Sequence, residues 1–481
     1  MWGVAYNFVA VDREQLLLMP PSVSDWLPED HFAWFVIDVV EELDLSSFLA
    51  AHRVDGRGGA AYHPAMMVGL LIYAYAIGER SSRQIERRCV EDVAFRVVAA
   101  NRQPDHATIA RFRAAHADAI AGLFGQVLAL CARAGVLRPG LLAVDGTKLA
   151  ANASKDANRT AEQLAAAILA EAAATDATED AAAVDDGDGV PVELRGRGPK
   201  RRARLKEMLD ELQAEAAGKS FESHMARRAE IEARTGRPIR GRRPTPDSAA
   251  HRPRRQANTT DPDSRLLKTR EGYVQGFNAQ AIATVDQWVV AAEATNRVHD
   301  AEAFVPMITA AKKNLRRAGV TRRVRTVVAD AGYWSIDNVN ARGIEAIIAP
   351  GRHRHLRQIS EQDRRRSQIL GRVEAGEITT DQAAAEIGVT RARVNQLLRL
   401  RRHGEDESLT TTMITKLDTP RGQRIYNKRA ATIEPVFAQI KHNRRIRSMS
   451  RRGLAAADSE WKLITATHNL LKLWRITPTT A

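Results

Sequence analysis

Tyr426-Asn-Lys-Arg429-Ala-Ala-Thr-Ile-Glu434-Pro-Val-Phe-Ala-Gln-Ile-Lys441, near the C-terminal end of the chain, sets one carboxylate among three donors: Tyr426, Arg429 and Lys441. Phe437 and Ile440 give a short apolar stripe at helical spacing. Proline has no amide proton and is accommodated in the first turn of a helix, so Pro435 predicts a helix start within a residue or two of Glu434. Lys441, seven positions on, then shares that face two turns away. An acid in so basic a setting suits a metal ligand beside a phosphate backbone. An ordinary surface helix with i,i+4 charge pairs would carry the same residues, and the wider chain has to separate the two readings.

The chain has 481 residues, enough for two or three domains, and a formal net charge of +14, which favours a polyanionic partner such as nucleic acid or an anionic membrane surface. The charge is uneven. Residues 1–60 hold three Arg against ten Asp and Glu, Arg234 to Arg255 holds eight Arg and one Asp, and Lys441 to Arg452 holds six basic residues and no acid. Blocks this one-sided imply an anionic partner. The two cysteines, Cys89 and Cys131, stand in apolar helical contexts without zinc spacing, as suits reduced core thiols in a cytoplasm. No basic-then-apolar leader opens the chain, and the apolar run Met66 to Ile77 is too short to span a bilayer. The expectation is a basic intracellular protein with no membrane partner.

Residues 1–140 read as an N-terminal all-α domain. Trp34, Phe35, Ile37, Val39, Val40 and Leu43 fall at helical spacing, Pro64 opens an apolar helix over 65–77, and Ser81 starts an Arg-rich amphipathic segment with Ile85 and Cys89 inward. Asp105 is an N-cap candidate for a third segment with Ile109, Phe112 and His116 on one face and Arg111 and Arg113 elsewhere. These helices permit a DNA-end-binding helix-turn-helix or a plain bundle.

At Leu141-Leu-Ala-Val-Asp145-Gly-Thr-Lys148 an apolar run ends on Asp-Gly, as expected of a buried strand (141–158 in all) that delivers a carboxylate to its end, although Asp-Gly is also a common turn. Residues 159–265 read as a helical and basic insertion. Strand signals return at Tyr273 to Thr284 and Gln287 to Ala294 as a hairpin, and Asp300 is expected to cap a helix running to about Ala318. Arg325-Thr-Val-Val-Ala-Asp330-Ala-Gly332 repeats the strand-to-Asp device, followed by a short helix (335–342) and a strand (345–349). Thus 266–352 continues the core, 353–415 forms a second insertion, and 416–481 holds the late helix and a basic tail. The whole predicts an α/β core built on a mixed five-stranded sheet with flanking helices, interrupted by helical insertions.

Within the second insertion, residues 377–400 fit a helix-turn-helix: Ala384 lets two helices cross, Gly388 makes the turn and Thr390 caps the second helix. That helix would expose Arg391, Arg393, Asn395 and Gln396 to phosphates and base edges. A helical hairpin without DNA is the plainer alternative. The run Arg352 to Arg366 would add sequence-independent phosphate binding.

Converging carboxylates repel unless divalent cations lie between them, and Mg²⁺ takes hard oxygen ligands while leaving room for phosphate oxygens. Asp145, Asp330 and Glu434 fit as catalytic metal ligands for a pair of ions roughly 3.5–4 Å apart, with Asp145 bridging. Taken with Val144-Asp145-Gly-Thr-Lys, Asp261-Pro-Asp-Ser-Arg265, Lys268-Thr-Arg, Gly276-Phe-Asn278-Ala-Gln280, Ala329-Asp330-Ala-Gly-Tyr333, the stretch at Glu434, Trp461 with His468-Asn-Leu-Leu-Lys-Leu473, and the N-terminal Tyr62-His-Pro64, Pro104-Asp-His106 and Arg111-Phe-Arg113, the chain resembles a DDE transposase of a bacterial insertion sequence, closest to the IS-eleven-eighty-two type.

The resemblance implies an RNase H-like catalytic core, two Mg²⁺ or Mn²⁺ ions, and DNA cleavage and strand transfer at terminal inverted repeats. It also implies double-stranded DNA as partner, a homodimer in the active complex, and work at the bacterial nucleoid. Related transposases carry a Tyr, Arg, Glu, Lys signature with two, three and six residues between members. Here the gaps are two, four and six, so Tyr426, Arg429 and Lys441 are carried over as DNA-end contacts across one extra residue before Glu434. A sequence-specific DNA-binding regulator or inactive relic is the alternative from another class, and a structure-specific nuclease that never joins ends is a third.

Overall fold

A computed structural model describes residues 22–50, 61–167, 256–269, 271–351, 368–402 and 407–477, with short pieces at 170, 206–210, 212, 229 and 365–366. Most of the 159–265 insertion lies outside the described residues, as do the Arg-rich run 234–255, residues 352–364 of the second basic run, and the start of the chain. Contacts divide the chain into residues 1–115 with 473–481, and residues 116–472. The N-terminal helical domain, expected to reach residue 140, therefore groups as 1–115.

In that first unit the helices are α1 (Phe32–Glu41), α2 (Ser46–Leu49), α3 (Pro64–Ala76), α4 (Ser82–Glu91), α5 (Val93–Val98) and α6 (His106–Ala115). Four of these starts have a local cause. His31 and His63 accept from Ala33 and Ala65 amides, Ser81 from Gln84 and Asp105 from Thr108, satisfying amides that a helix leaves unpaired at its N-terminus. Ile85 and Cys89 are buried as the periodicity expects. Arg113 is not a surface residue: it is buried and donates to Tyr75 Oη at 3.1 Å, Arg80 O at 2.8 Å and Ser82 Oγ, so it ties α6 to α3 and α4. Arg111 stays exposed.

The second unit begins with α7 (Ala117–Arg133) and is built on a six-stranded sheet, one strand more than expected. Strand β1 (Leu141–Ala150) pairs antiparallel with β5 (Gly272–Thr284) over residues 142–150 and parallel with β7 (Thr326–Ala329) over 141–143 only. β7 pairs parallel with β8 (Glu345–Ile348). The far edge of the long β5 is shared: β4 (Arg265–Thr269) pairs with its first part and β6 (Val289–Thr295) with its second. β2 (Asn158–Thr160) and β3 (Gln256–Asn258) make a separate two-stranded piece. Strand β1 does not stop at Asp145 as the Asp-Gly signal suggested, because β5 continues to supply ladder bonds to Ala150. Between Ala143 and Ala150, where Ser448 forms a bridge, it has a sheet neighbour on one side only, which leaves a notch between β1 and the end of β7.

Helix α8 (Phe304–Arg317) packs on β5 and β6, and α9 (Ile336–Val339) follows β7. After the second insertion come α10 (Thr380–Ile387), α11 (Arg391–Arg402), α12 (Glu407–Asp418), α13 (Pro420–Ala438) and α14 (Leu454–Ile476). α10 opens with a capping box between Thr379 and Gln382, and Gly388 ends it at φ 77°, ψ 34°, a left-handed conformation that glycine takes without a Cβ penalty. Ile369, Leu370, Ala383, Val394, Leu397 and Leu398 form a core of their own there.

The helix carrying Glu434 starts fourteen residues earlier than Pro435 suggested, at Pro420, capped by Thr419 Oγ1 accepting from the Gly422 amide. Pro435 is thus interior. Its missing amide would leave Ala431 O without a helical donor, and Gln287 Nε2 supplies one at 3.2 Å from the β5–β6 turn. Ile433, Val436, Phe437 and Ile440 make the buried stripe, with Phe437 stacked on Trp461 at 6.4 Å. Directly after α13 the chain makes a π-helical turn over Gln439–Asn443.

The motifs around α14 are structural. Asp261 and Asp263 accept from the Gly453 and Leu454 amides at its start. Trp461 Nε1 donates to Gln280 O at 2.8 Å, and Asn469 makes two bonds to the Val289 backbone. Arg444, one of the six basic residues of the 441–452 block, is buried and donates to Thr467 Oγ1 and Ile464 O. Among the described residues no single helix is long and apolar enough to cross a membrane.

Candidate active site

The notch between β1 and β7 gathers the polar groups. Asp145 projects from β1 just past its last pairing with β7, and Asp330 immediately follows β7, capping a 3-10 turn (Ala331–Tyr333) by accepting from the Gly332 amide at 2.9 Å. Asp145 Oδ1 accepts from the Gly146 amide at 2.8 Å. Burial first, and then the neighbouring Asp330 charge, push the Asp145 carboxyl up to about 7, against the pull of the Gly146 amide and Arg429. Burial also raises Asp330 above the usual carboxylate range.

Helix α13 brings the third acid and the cations. Arg429 Nη1 stands 3.3 Å from Asp145 Oδ2, and its Nη2 stands 3.3 Å from Glu434 Oε1. Glu434 is 58% exposed, while the Arg429 and Asp145 side chains are 18% and 19% exposed. The extra residue before Glu434 puts it five positions from Arg429, and one guanidinium spans the two acids. Tyr426 lies beside Arg429, and its hydroxyl is raised chiefly by burial. Lys441, in the π turn, donates from Nζ to Thr147 Oγ1 and Lys148 O, both at 2.9 Å, so two of its three donors are spent on β1. π turns recur at functional sites because they re-aim a side chain without ending the helix.

The structure thus brings together Asp145, Asp330, Glu434, Tyr426, Arg429 and Lys441. Arg391, Arg393, Asn395 and Gln396 lie on α11 instead. There Arg391 pairs with Asp381 at 3.2 Å and Arg393 donates to Gln396 at 2.8 Å; Arg391, Arg393 and Gln396 are exposed and Asn395 is half-buried.

Sequence reasoning misplaced one member. Asp300 does not cap α8: the chain enters that helix through a 3-10 turn (Asp300–Ala303), and Asp300 Oδ1 accepts from Asn278 Nδ2 at 2.6 Å, Gln280 Nε2 at 2.9 Å and Lys148 Nζ at 3.0 Å. The available signal was Asn278 and Gln280 two apart on an otherwise apolar strand, since buried amides require partners. This cluster also explains both glycines. A Cβ on Gly146 would overlap Gln280 Nε2 and lie 2.8 Å from Asn278 Oδ1, and one on Gly332 would lie 3.1 Å from Asp330 Oδ1.

The donor set fits a hard divalent cation: all oxygens, among them those of the desolvated carboxyls of Asp145 and Asp330, whose mutual repulsion a cation relieves. Among the described residues no three Asp, Glu, His or Cys side chains are drawn in to ligating distance, and Arg429 stands between Asp145 and Glu434.

Two families match the chain. One described as "Transposase domain (DUF772)" matches residues 21–115, and one described as "Transposase DDE domain" matches residues 389–474. Together they indicate a DDE transposase. The first match ends where the first structural unit ends, and the second runs from α11 through Tyr426, Arg429, Glu434 and Lys441. No curated protein and no solved structure matches the chain.

Proposed function

We propose that this chain is an insertion-sequence transposase of the IS-eleven-eighty-two type that cuts and joins DNA at terminal inverted repeats, with Asp145, Asp330 and Glu434 as the catalytic carboxylates on an RNase H-like core. The observation that carries the reading is that Arg429, 284 positions beyond Asp145, contacts both Asp145 and Glu434 in the β1–β7 notch, where the Asp330 charge also acts on Asp145. The sheet order, with β5 antiparallel and β1, β7 and β8 parallel, supports the RNase H-like assignment.

The three carboxylates would hold two Mg²⁺ or Mn²⁺ ions, which supply activation of a water or 3′-hydroxyl and stabilisation of the leaving oxygen. The chain's own residues do the rest. Lys441, fixed to β1, and Tyr426 orient the DNA end. Arg429 neutralises the acids and passes to phosphate oxygens as DNA seats, a bidentate exchange suited to its planar fork. The α10–α11 hairpin, with Arg391, Arg393, Asn395 and Gln396 on its second helix, contacts DNA as a helix-turn-helix. Pairing two ends in one complex calls for a homodimer.

The test is cleavage and strand transfer on inverted-repeat DNA with Mg²⁺. Asp145→Asn and Glu434→Gln should each abolish both; either variant cutting like the parent overturns the assignment. A second reading, a DNA-binding regulator, draws on the separate core of the α10–α11 module. It predicts sequence-specific binding with no metal-dependent cleavage by the parent.

A further inference from the structure

Asp300 joins the two segments that present the catalytic aspartates. Its Oδ1 takes three bonds, from Lys148 on β1, three residues beyond Asp145, and from Asn278 and Gln280 on β5. Gln280 Oε1 in turn accepts from the Tyr333 hydroxyl, and Tyr333 ends the 3-10 turn that Asp330 caps. Tyr333 is fully buried. Asn338 closes a parallel route, donating to Ala301 O at 2.7 Å and to Tyr333 O at 2.8 Å. Asp145 and Asp330 share no backbone ladder, since β1 and β7 stop pairing at Ala143 and Val328. Across the notch the side chains of Lys148, Asp300, Gln280 and Tyr333 form a continuous hydrogen-bonded connection between the two segments. Gly146 leaves the space that Gln280 and Asp300 fill.

We propose that Asp300 is a positioning residue that sets the spacing of Asp145 and Asp330 for divalent-ion binding, an inference that rests on the transposase reading above. It acts through Lys148 on one side and through Gln280 and Tyr333 on the other. Partners of this kind, one shell away from the ligands, typically change metal affinity by about 10–100-fold when removed.

The experiment measures Mn²⁺ binding to the full-length, DNA-free protein by electron paramagnetic resonance of free Mn²⁺, with thermal unfolding in EDTA as the check on folding. Asp300→Asn and Tyr333→Phe are each expected to weaken Mn²⁺ binding by about tenfold or more. Tyr333→Phe removes the tie and keeps every charge, so it separates spacing from simple attraction, and it carries the test if Asp300→Asn unfolds. The double variant should lose little more than the worse single one, because both cuts sever the same route. Folded Asp300→Asn and Tyr333→Phe proteins that bind Mn²⁺ within about twofold of the parent overturn the proposal. A parent that binds no Mn²⁺, or binds it equally well as Asp145→Asn, sinks the metal reading itself. Binding lost in Asp145→Asn but kept in Tyr333→Phe sinks only the tie.

Discussion

Arg429, on α13, reaches Asp145, on β1, at 3.3 Å, and through this contact α13 closes on the first strand of the core. Burial first, and then the Asp330 charge, raise the Asp145 carboxyl, and Arg429 is the cation that opposes them. The contact is long for a hydrogen bond and lies where solvent is scarce, so its weight is chiefly coulombic.

Removing Arg429 should expose that balance. Arg429→Ala is expected to lower stability at pH 8 in EDTA by about 1–3 kcal/mol, since a desolvated carboxylate loses its compensating charge. Added Mg²⁺ should recover most of the loss. Thermal melts with and without Mg²⁺ check this; a variant equally stable in both conditions contradicts it.

The raised Asp145 carboxyl fixes a pH dependence. The folded protein holds this proton up to about 7 whereas the unfolded chain releases it near 3.8, so in between the folded state binds more protons. Stability from this group is therefore present below the unfolded value and lost as pH rises toward 7. Each unit is worth about 1.4 kcal/mol before screening, so Asp145→Asn should be the more stable protein at pH 8 by a few kcal/mol at most. Melts in EDTA at pH 5 and pH 8 should show the gap between variant and parent widening at the higher pH.

Two glycine substitutions should go in opposite directions. Gly146→Ala drives a methyl into Gln280 and Asn278 and is expected to cost about 1–3 kcal/mol together with cleavage activity. Gly125→Ala, on an exposed part of α7 with nothing near the added carbon, should stabilise by about 0.5–1 kcal/mol through helix propensity. Chemical denaturation midpoints of both variants decide this.

Glu345 governs acid sensitivity at the other end of β8. Arg421, with Lys416 and Thr326, holds its carboxyl down to about 2. Two Arg421 nitrogens and Lys416 Nζ all lie 2.9 Å from its oxygens. A depressed acid stabilises above its unfolded value of 4.5 and loses that contribution as pH falls toward 2. Glu345→Gln should lower the melting temperature at pH 6 and flatten its decline between pH 4.5 and pH 2.

On the α10–α11 module, Arg391→Ala and Arg393→Ala should each reduce the salt slope of DNA binding by about 0.9, one phosphate contact apiece. Binding isotherms at several salt concentrations test it. An unchanged slope in both removes this helix from the DNA interface.

Legible in the sequence were the pieces whose causes are local: the caps at Ser81, Asp105 and Thr390, the turn at Gly388, the β5–β6 hairpin, the strand before Asp330 and the buried stripe Phe437–Ile440. It also drew attention to Asp145, Asp330 and Glu434 in chain order. What it misjudged depended on partners far away. Pro435 reads as a helix start until Gln287 arrives to bond Ala431 O, and Asp145-Gly146 reads as a strand end until β5 carries the ladder on to Ala150. Asp300 reads as a cap because its three donors lie on strands that only folding brings to it. A proline, a glycine or an acid states its own conformational preference in the sequence, but which group satisfies it is decided by the tertiary structure.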